Sequence, residues 1–214
     1  MKTRSIFLAM ALLGCDGGSV DYSGLKMSPF FPFDGSAREW EFFNEDTSIT
    51  YKQVSVLNTE FELSEDGATK IYDVETSKVC VNNSESCDDE WLFTTRMSVT
   101  GANGAQFHGY SNSDGKVEFE TPIALTDGKM EAGDFVTTVG VDGHDWVATF
   151  ERIEACDIQW TSEWSDCARI KVESTPEGHW MAGTYWAVSG YNIVARQTTG
   201  DTGRWELIYA KWEP

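Results

Sequence analysis

The chain predicts an all-β fold: a single antiparallel curved sheet of half-barrel type, or a β-sandwich, of about ten to twelve strands. Three observations carry that expectation. Apolar residues recur with a period of two through most of the 214 residues. Asp-Gly and Asn-Gly pairs, which tolerate the positive φ angles of tight hairpins, punctuate the alternating runs. No stretch of a dozen residues holds an apolar stripe at helical spacing with caps.

The chain opens on a different pattern. Lys2 and Arg4 precede an uncharged apolar run, Ile6 to Leu13. A membrane-spanning helix needs about 17–25 such residues, so this run is too short to span and has the shape of an export signal. It ends in Leu12-Leu13-Gly14-Cys15, which resembles a bacterial lipobox, with cleavage before a cysteine that becomes lipidated. Residues 1–14 are therefore expected to be a lipoprotein signal peptide and Cys15 the lipid attachment site. Residues 15–28, with Asp16-Gly17-Gly18-Ser19 at their start, read as a flexible tether. The folded part is expected from Pro29 to Pro214, as one domain.

From there the strands follow one another. Trp91, Phe93, Thr95, Met97 and Val99 share one face, as do Val117 and Phe119. Trp146, Ala148 and Phe150 make a third run, Ala168, Ile170 and Val172 a fourth, and Trp205, Leu207 and Tyr209 a fifth. Each alternates with polar or charged residues, the mark of a strand with one buried face. Turn signals lie at Asp66-Gly67, Asn103-Gly104, Asp114-Gly115, Asp127-Gly128, Asp142-Gly143 and Thr199 to Gly203. These connections leave no room for crossover helices, which excludes a parallel sheet. Ile49 and Tyr51 fall in one phase and Val54 and Val56 in the other, which predicts a β-bulge or bend near Gln53.

Five cysteines are an odd number for an exported chain. Lipidation of Cys15 removes one. The remaining four form two close pairs, Cys80/Cys87 and Cys156/Cys167, each bracketing a polar segment. Local pairing is the simplest of the three arrangements, and each bridge would contribute about 2–3 kcal/mol on the chain-entropy estimate. A four-cysteine zinc site fits poorly, because structural zinc favours two to four residues between paired ligands.

Acidic residues outnumber basic ones 35 to 16, for a net charge of −19. That surface repels phosphate backbones and anionic headgroups, so no nucleic-acid partner is expected and attachment should come from the lipid. His108, His144 and His179 lie in different hairpins, with no His-Glu-x-x-His and no Gly-x-Ser-x-Gly in the chain. The Asp-rich stretches at Asn112 to Gly115 and Asp142 to Asp145 lack the EF-hand donor set and serve their turns. No catalytic, metal or cofactor-binding residues are assigned, and no enzyme activity is expected. The aromatics carry more information. Trp160, Trp164, Trp180, Trp186, Trp205 and Trp212 crowd the last third. Such residues fill the core of a curved sheet, line an apolar cavity, or form a sugar-binding platform. Trp164, inside the Cys156–Cys167 segment, is expected to be the exposed one.

Two stretches resemble a family. Phe30-Phe31-Pro32-Phe33-Asp34-Gly35 followed by Trp40-Glu41-Phe42, and Thr184-Tyr185-Trp186 through Gly190 to Val194-Ala195-Arg196 with a final Trp205-Glu206-Leu207, are similar to motifs of a group of uncharacterised bacterial lipoproteins. Met130-Glu131-Ala132-Gly133-Asp134 resembles their central turn. The resemblance implies a curved antiparallel sheet of half-barrel or sandwich type and no known enzyme activity. The expectation is a lipid-anchored protein of the bacterial cell envelope, at the outer membrane or, given Asp16, the inner one. It would act by binding an apolar ligand, an envelope protein or a carbohydrate.

Overall fold

The computed structural model describes residues 24–33, 36–46, 51–80, 92–158, 164 and 166–213. Cys15, Asp16, Cys87, Trp91 and Trp160 lie outside the described residues. Strands run β1 Leu25–Lys26, β2 Ala37–Phe43, β3 Tyr51–Leu63, β4 Lys70–Cys80, β5 Leu92–Thr100, β6 Gly104–Asn112, β7 Gly115–Ala124, β8 Lys129–Met130, β9 Phe135–Val141, β10 His144–Glu154, β11 Cys167–Thr175, β12 Gly183–Val188, β13 Asn192–Thr198 and β14 Trp205–Glu213. A single 3-10 turn, Ser28–Phe30, follows β1.

Twelve strands form one antiparallel sheet in the order β7-β6-β5-β4-β3-β2-β14-β13-β12-β11-β10-β9. The first and last long strands, β2 and β14, pair from Phe43↔Glu206 to Ala37↔Glu213. The two edges, β7 and β9, then meet, and the Ala124 N–H donates to Thr138 Oγ1 across the seam at 3.0 Å. The sheet is therefore curved into a nearly closed barrel, which matches the half-barrel form of the expected all-β fold. Each predicted turn signal among the described residues falls at a connection. Asp142 and Gly143 stand at φ 51° and 73°, the left-handed pair that a two-residue hairpin requires.

Alternation decides which side chains enter the barrel. Ala168, Ile170 and Val172 are buried on the inner face, as are Trp146, Ala148 and Phe150. Outward positions carry charge: Lys52 pairs with Glu41, Lys171 with Glu173, and Arg169 with Glu151. A lipid-facing wall would carry a cost of about 2–4 kcal/mol for each such Lys or Arg at the bilayer midplane, so these charges mark a water-facing exterior.

Eight strands close a barrel just wide enough for side chains to fill, so twelve leave space that must be occupied or remain hollow. One end is plugged. β1 pairs with β8 as a separate two-stranded ribbon, and the Met27 N–H donates to the Gly128 carbonyl. Met27 (0% exposed), Phe30 and Phe31 then pack with Met130, Phe107, Ile123 and Phe150. The Gly190 N–H donates to the Pro29 carbonyl, tying the plug to the β12–β13 turn. Packing thus begins at Leu25, earlier than the Pro29 expected from composition, because four residues of the presumed tether supply the plug.

Three other expectations are corrected. No slip occurs at Gln53: pairing runs unbroken from Tyr51↔Cys80 to Leu57↔Val74, and the irregularity lies between Leu57 and Phe61. Gln53, Ser55 and Leu57 share the inner face, with Val54 and Val56 on the other. In β14 a bulge falls between Leu207 and Tyr209; Trp205 and Leu207 are buried, but Tyr209 is turned out of phase and is 46% exposed. Trp164 is half-buried rather than exposed, because its ring packs edge-on against Tyr191 of the β12–β13 turn at 4.9 Å. Cys156 and Cys167 form the expected disulfide, which ties the residues just after β10 to the start of β11. Cys80 is disulfide-bonded, and its expected partner Cys87 lies outside the described residues.

Candidate binding cavity

The half of the barrel away from the plug is hollow. A cavity of about 560 Å³ runs from Phe31, on the plug, to Thr199 and Gly200, in the exposed turn between β13 and β14. That volume lies within the range of about 300–1,000 Å³ usual for small-molecule sites. Its deep part is apolar, with Val74, Met97, Phe107, Ile170 and Val172 on the wall. Met97 and Phe93, on one face of β5 as the alternation predicts, both contribute.

An aromatic wall stands beside the mouth. Trp180, in the β11–β12 connection, meets Phe93 edge-on at 4.6 Å and Tyr110 edge-on at 5.5 Å. Such contacts add to burial because the positive ring edge meets the negative ring face. Trp180 is exposed to solvent on its other side. The residue before it, His179, fixes this loop. Its Nε2–H donates to Asp142 Oδ2 at 3.0 Å, and its Nδ1 accepts the Met181 N–H at 3.2 Å. Trp146 packs edge-on against its ring at 4.6 Å and His144 at 4.9 Å.

Opposite the aromatic wall the lining turns polar. Ser55 and Thr76 hydrogen-bond to each other at 2.8 Å in a buried pair across β3 and β4. Arg196, on β13, donates through Nη2 to Gln53 Oε1. Its guanidinium lies over the Phe42 ring, 5.1 Å from the centroid. Tyr185, paired with Arg196 in register, donates its hydroxyl to the Met181 carbonyl at 2.5 Å. Burial pushes the Tyr185 phenol well above its ordinary range, so it stays neutral. Burial also lowers the Arg196 pKa, against the attraction of Tyr185 and Asp201; it remains a cation at any physiological pH.

The histidines do not assemble a catalytic centre. His144 and His179 come together although they are far apart in sequence, which spacing alone could not show. Yet both ring nitrogens of His179 are engaged, leaving none to take a proton from a substrate. Burial lowers its pKa, opposed by the hydrogen bond and charge of Asp142 and assisted by His144. His108 Nε2 lies 2.7 Å from Ser98 Oγ, but Ser98 is fully buried and out of reach of any substrate. Burial and then the neighbouring Arg96 lower the His108 pKa, and a cation there does the opposite of a triad's orienting carboxylate. Asn112 Oδ1 accepts the Asp114 N–H at 2.9 Å, so that stretch is occupied by its own turn. Among the described residues, no group of three or more His, Cys, Asp or Glu is placed to hold a metal.

Comparison with protein-family models, curated proteins and solved structures returns no match.

Sequence reasoning singled out the aromatics of this cavity but missed Gln53, Ser55, Thr76 and Arg196. A signal was present. Gln53 and Ser55 interrupt the apolar alternation of β3, and the interruption reads as a phase slip unless polar residues are allowed to face inward.

Proposed function

We propose that the protein is a lipid-anchored binding protein of the bacterial cell envelope that carries an apolar small molecule inside its barrel and performs no reaction on it. The observation that supports this reading best is the 560 Å³ cavity, apolar in its depth and reaching solvent at one end. A barrel selected only for stability would fill such a space, since unfilled volume costs packing energy of about 24 cal/mol per Å³ in engineered cases. The placement of β1 fits the anchor. The chain enters at β1 on the plugged end, so a lipid on Cys15 would tether the barrel by its closed end and leave the mouth free. Against a carbohydrate platform, Trp180 meets its aromatic neighbours edge-on rather than in the coplanar array that stacks on sugar rings.

Native mass spectrometry of the full chain from an oxidising compartment, with solvent extraction, tests the reading. A stoichiometric apolar molecule is expected, and it should be lost from a Ser55→Trp variant that fills the cavity. A parent protein that never takes up an apolar ligand, even when titrated with a panel of them, would sink the carrier reading.

A further inference from the structure

The carrier reading explains the apolar part of the cavity but not Arg196. An unpaired guanidinium inside a barrel is costly, because desolvating a cation is repaid only by a close opposite charge or a full set of acceptors. Among the described residues no carboxylate lies within ion-pair distance of Arg196. Its contacts are a neutral amide oxygen, Gln53 Oε1, and the Phe42 ring face. Both hold the guanidinium plane in place without cancelling its charge. The acid to consider is Asp201, also on the cavity lining, whose charge attracts Arg196 from beyond ion-pair distance. Its carboxylate is already used by its own turn: Oδ2 accepts from the Thr198 N–H and hydroxyl, each at 2.8 Å, and Oδ1 accepts from the Trp205 indole at 3.1 Å. Tyr185 is neutral and donates elsewhere.

The position of the charge along the cavity is equally specific. Arg196 lies just before the β13–β14 turn that forms part of the mouth, and the apolar walls lie between it and Phe31. A ligand entering tail first would bring a polar head to rest at Arg196. A single planar fork of donors matches a carboxylate, which accepts two parallel hydrogen bonds from one guanidinium.

We propose that Arg196 is the headgroup-binding residue of the cavity and takes the carboxylate of a single-chain anionic amphiphile whose tail lies along the apolar walls toward the plug. This rests on the carrier reading above. Gln53 and Phe42 act as positioning residues for the guanidinium.

The test is isothermal titration of the full chain with three ligands of one tail: palmitate, hexadecanol and hexadecylamine. The parent is expected to bind palmitate at one site, about ten- to a hundredfold more tightly than hexadecanol, the usual worth of a hydrogen bond to a charged group. Hexadecylamine should be the weakest. Arg196→Gln should abolish the preference for palmitate over hexadecanol, weakening palmitate far more than hexadecanol, while Arg196→Lys keeps part of the preference. Equal affinity for palmitate and hexadecanol in the parent would overturn the headgroup assignment and leave the apolar cavity standing. Failure of all three to bind would overturn both. The parent-only comparison decides the matter even if a variant does not fold.

Discussion

Two arginines occupy opposite sides of the same wall, and their surroundings differ in one respect. Arg96 is on the outer face of β5, its side chain 8% exposed. It hydrogen-bonds Glu118 and Glu62, and its Nε lies 3.4 Å from Asp73. Gly109 of β6 pairs with Arg96 on one side and Glu118 on the other. Its φ of 150° and its closeness to the Val117 carbonyl leave no room for a Cβ, so the long side chain crosses β6 unobstructed. Arg196, on the inner face, has an amide and a ring. The chain surrounds one cation with acids and gives the other no acid within ion-pair distance, only the more distant charge of Asp201. A neutralised arginine is part of the wall; an arginine left charged inside a hollow is available to something else.

That contrast yields predictions of decreasing size. The double change Arg196→Met with Gln53→Leu removes a buried charge and its one acceptor together. It should stabilise the ligand-free protein by about 1–4 kcal/mol, as apolar replacements of buried ionic groups often do. Urea unfolding followed by tryptophan fluorescence measures it, and a loss of stability would mean that Arg196 is structural after all. Arg96→Met should move the other way, by about 1–2 kcal/mol, the value being modest because its partner acids are half in water; an unchanged urea midpoint would remove the distinction between the two sites.

The outer cluster should also respond to acid. The Glu118 pKa is lowered, chiefly by its hydrogen bond from Lys116; burial opposes this, and the charges of Arg96 and Lys116 and the Arg96 hydrogen bond add to the lowering. A carboxyl whose folded pKa is depressed contributes stability above its unfolded value, and that contribution is lost as pH falls through the folded one. The gap between parent and Arg96→Met should therefore narrow as pH drops below the ordinary glutamate range, while the effect of the Arg196 change, which breaks no ion pair, should vary less. Parallel curves at every pH would sink this account of the cluster.

The smallest effect concerns Asn192, which stands at φ 75° at the start of β13 with its buried Oδ1 unpartnered. Asn192→Gly should lie within about 1 kcal/mol of the parent, since both residues tolerate the left-handed region. Asn192→Val should cost about 1–3 kcal/mol through backbone strain. Thermal melts compare the two, and an innocuous valine would refute the strain.

Much of the fold was legible because it rests on local rules. Alternation at Ala168-Ile170-Val172 and at Trp146-Ala148-Phe150 placed those residues inside, and pairs such as Asp142-Gly143 could only be hairpin turns. Where the reading failed, the deciding force was not local. Tyr209 left the core because β14 must bulge to pair with β2, and Met27 entered it because a twelve-stranded barrel needs a plug. The site was half legible. Its aromatics declared themselves by number, but Trp180 could not be distinguished from Trp164, since exposure depends on what a loop folds against. His144 and His179 meet only because the β9–β10 hairpin and the β11–β12 loop lie at the same end of the barrel.

The sequence by itself determined the antiparallel strands and the positions of their turns, because each depends on residues a few positions apart, and it made the local Cys156–Cys167 pairing the simplest of three. The tertiary structure decided that the sheet would curl until β7 met β9, that one end would be stoppered and the other hollow, and that Arg196 would face the hollow. Closure depends on the summed twist of twelve strands, and the burial of a charge depends on side chains brought from four of them; no single stretch of sequence holds either quantity.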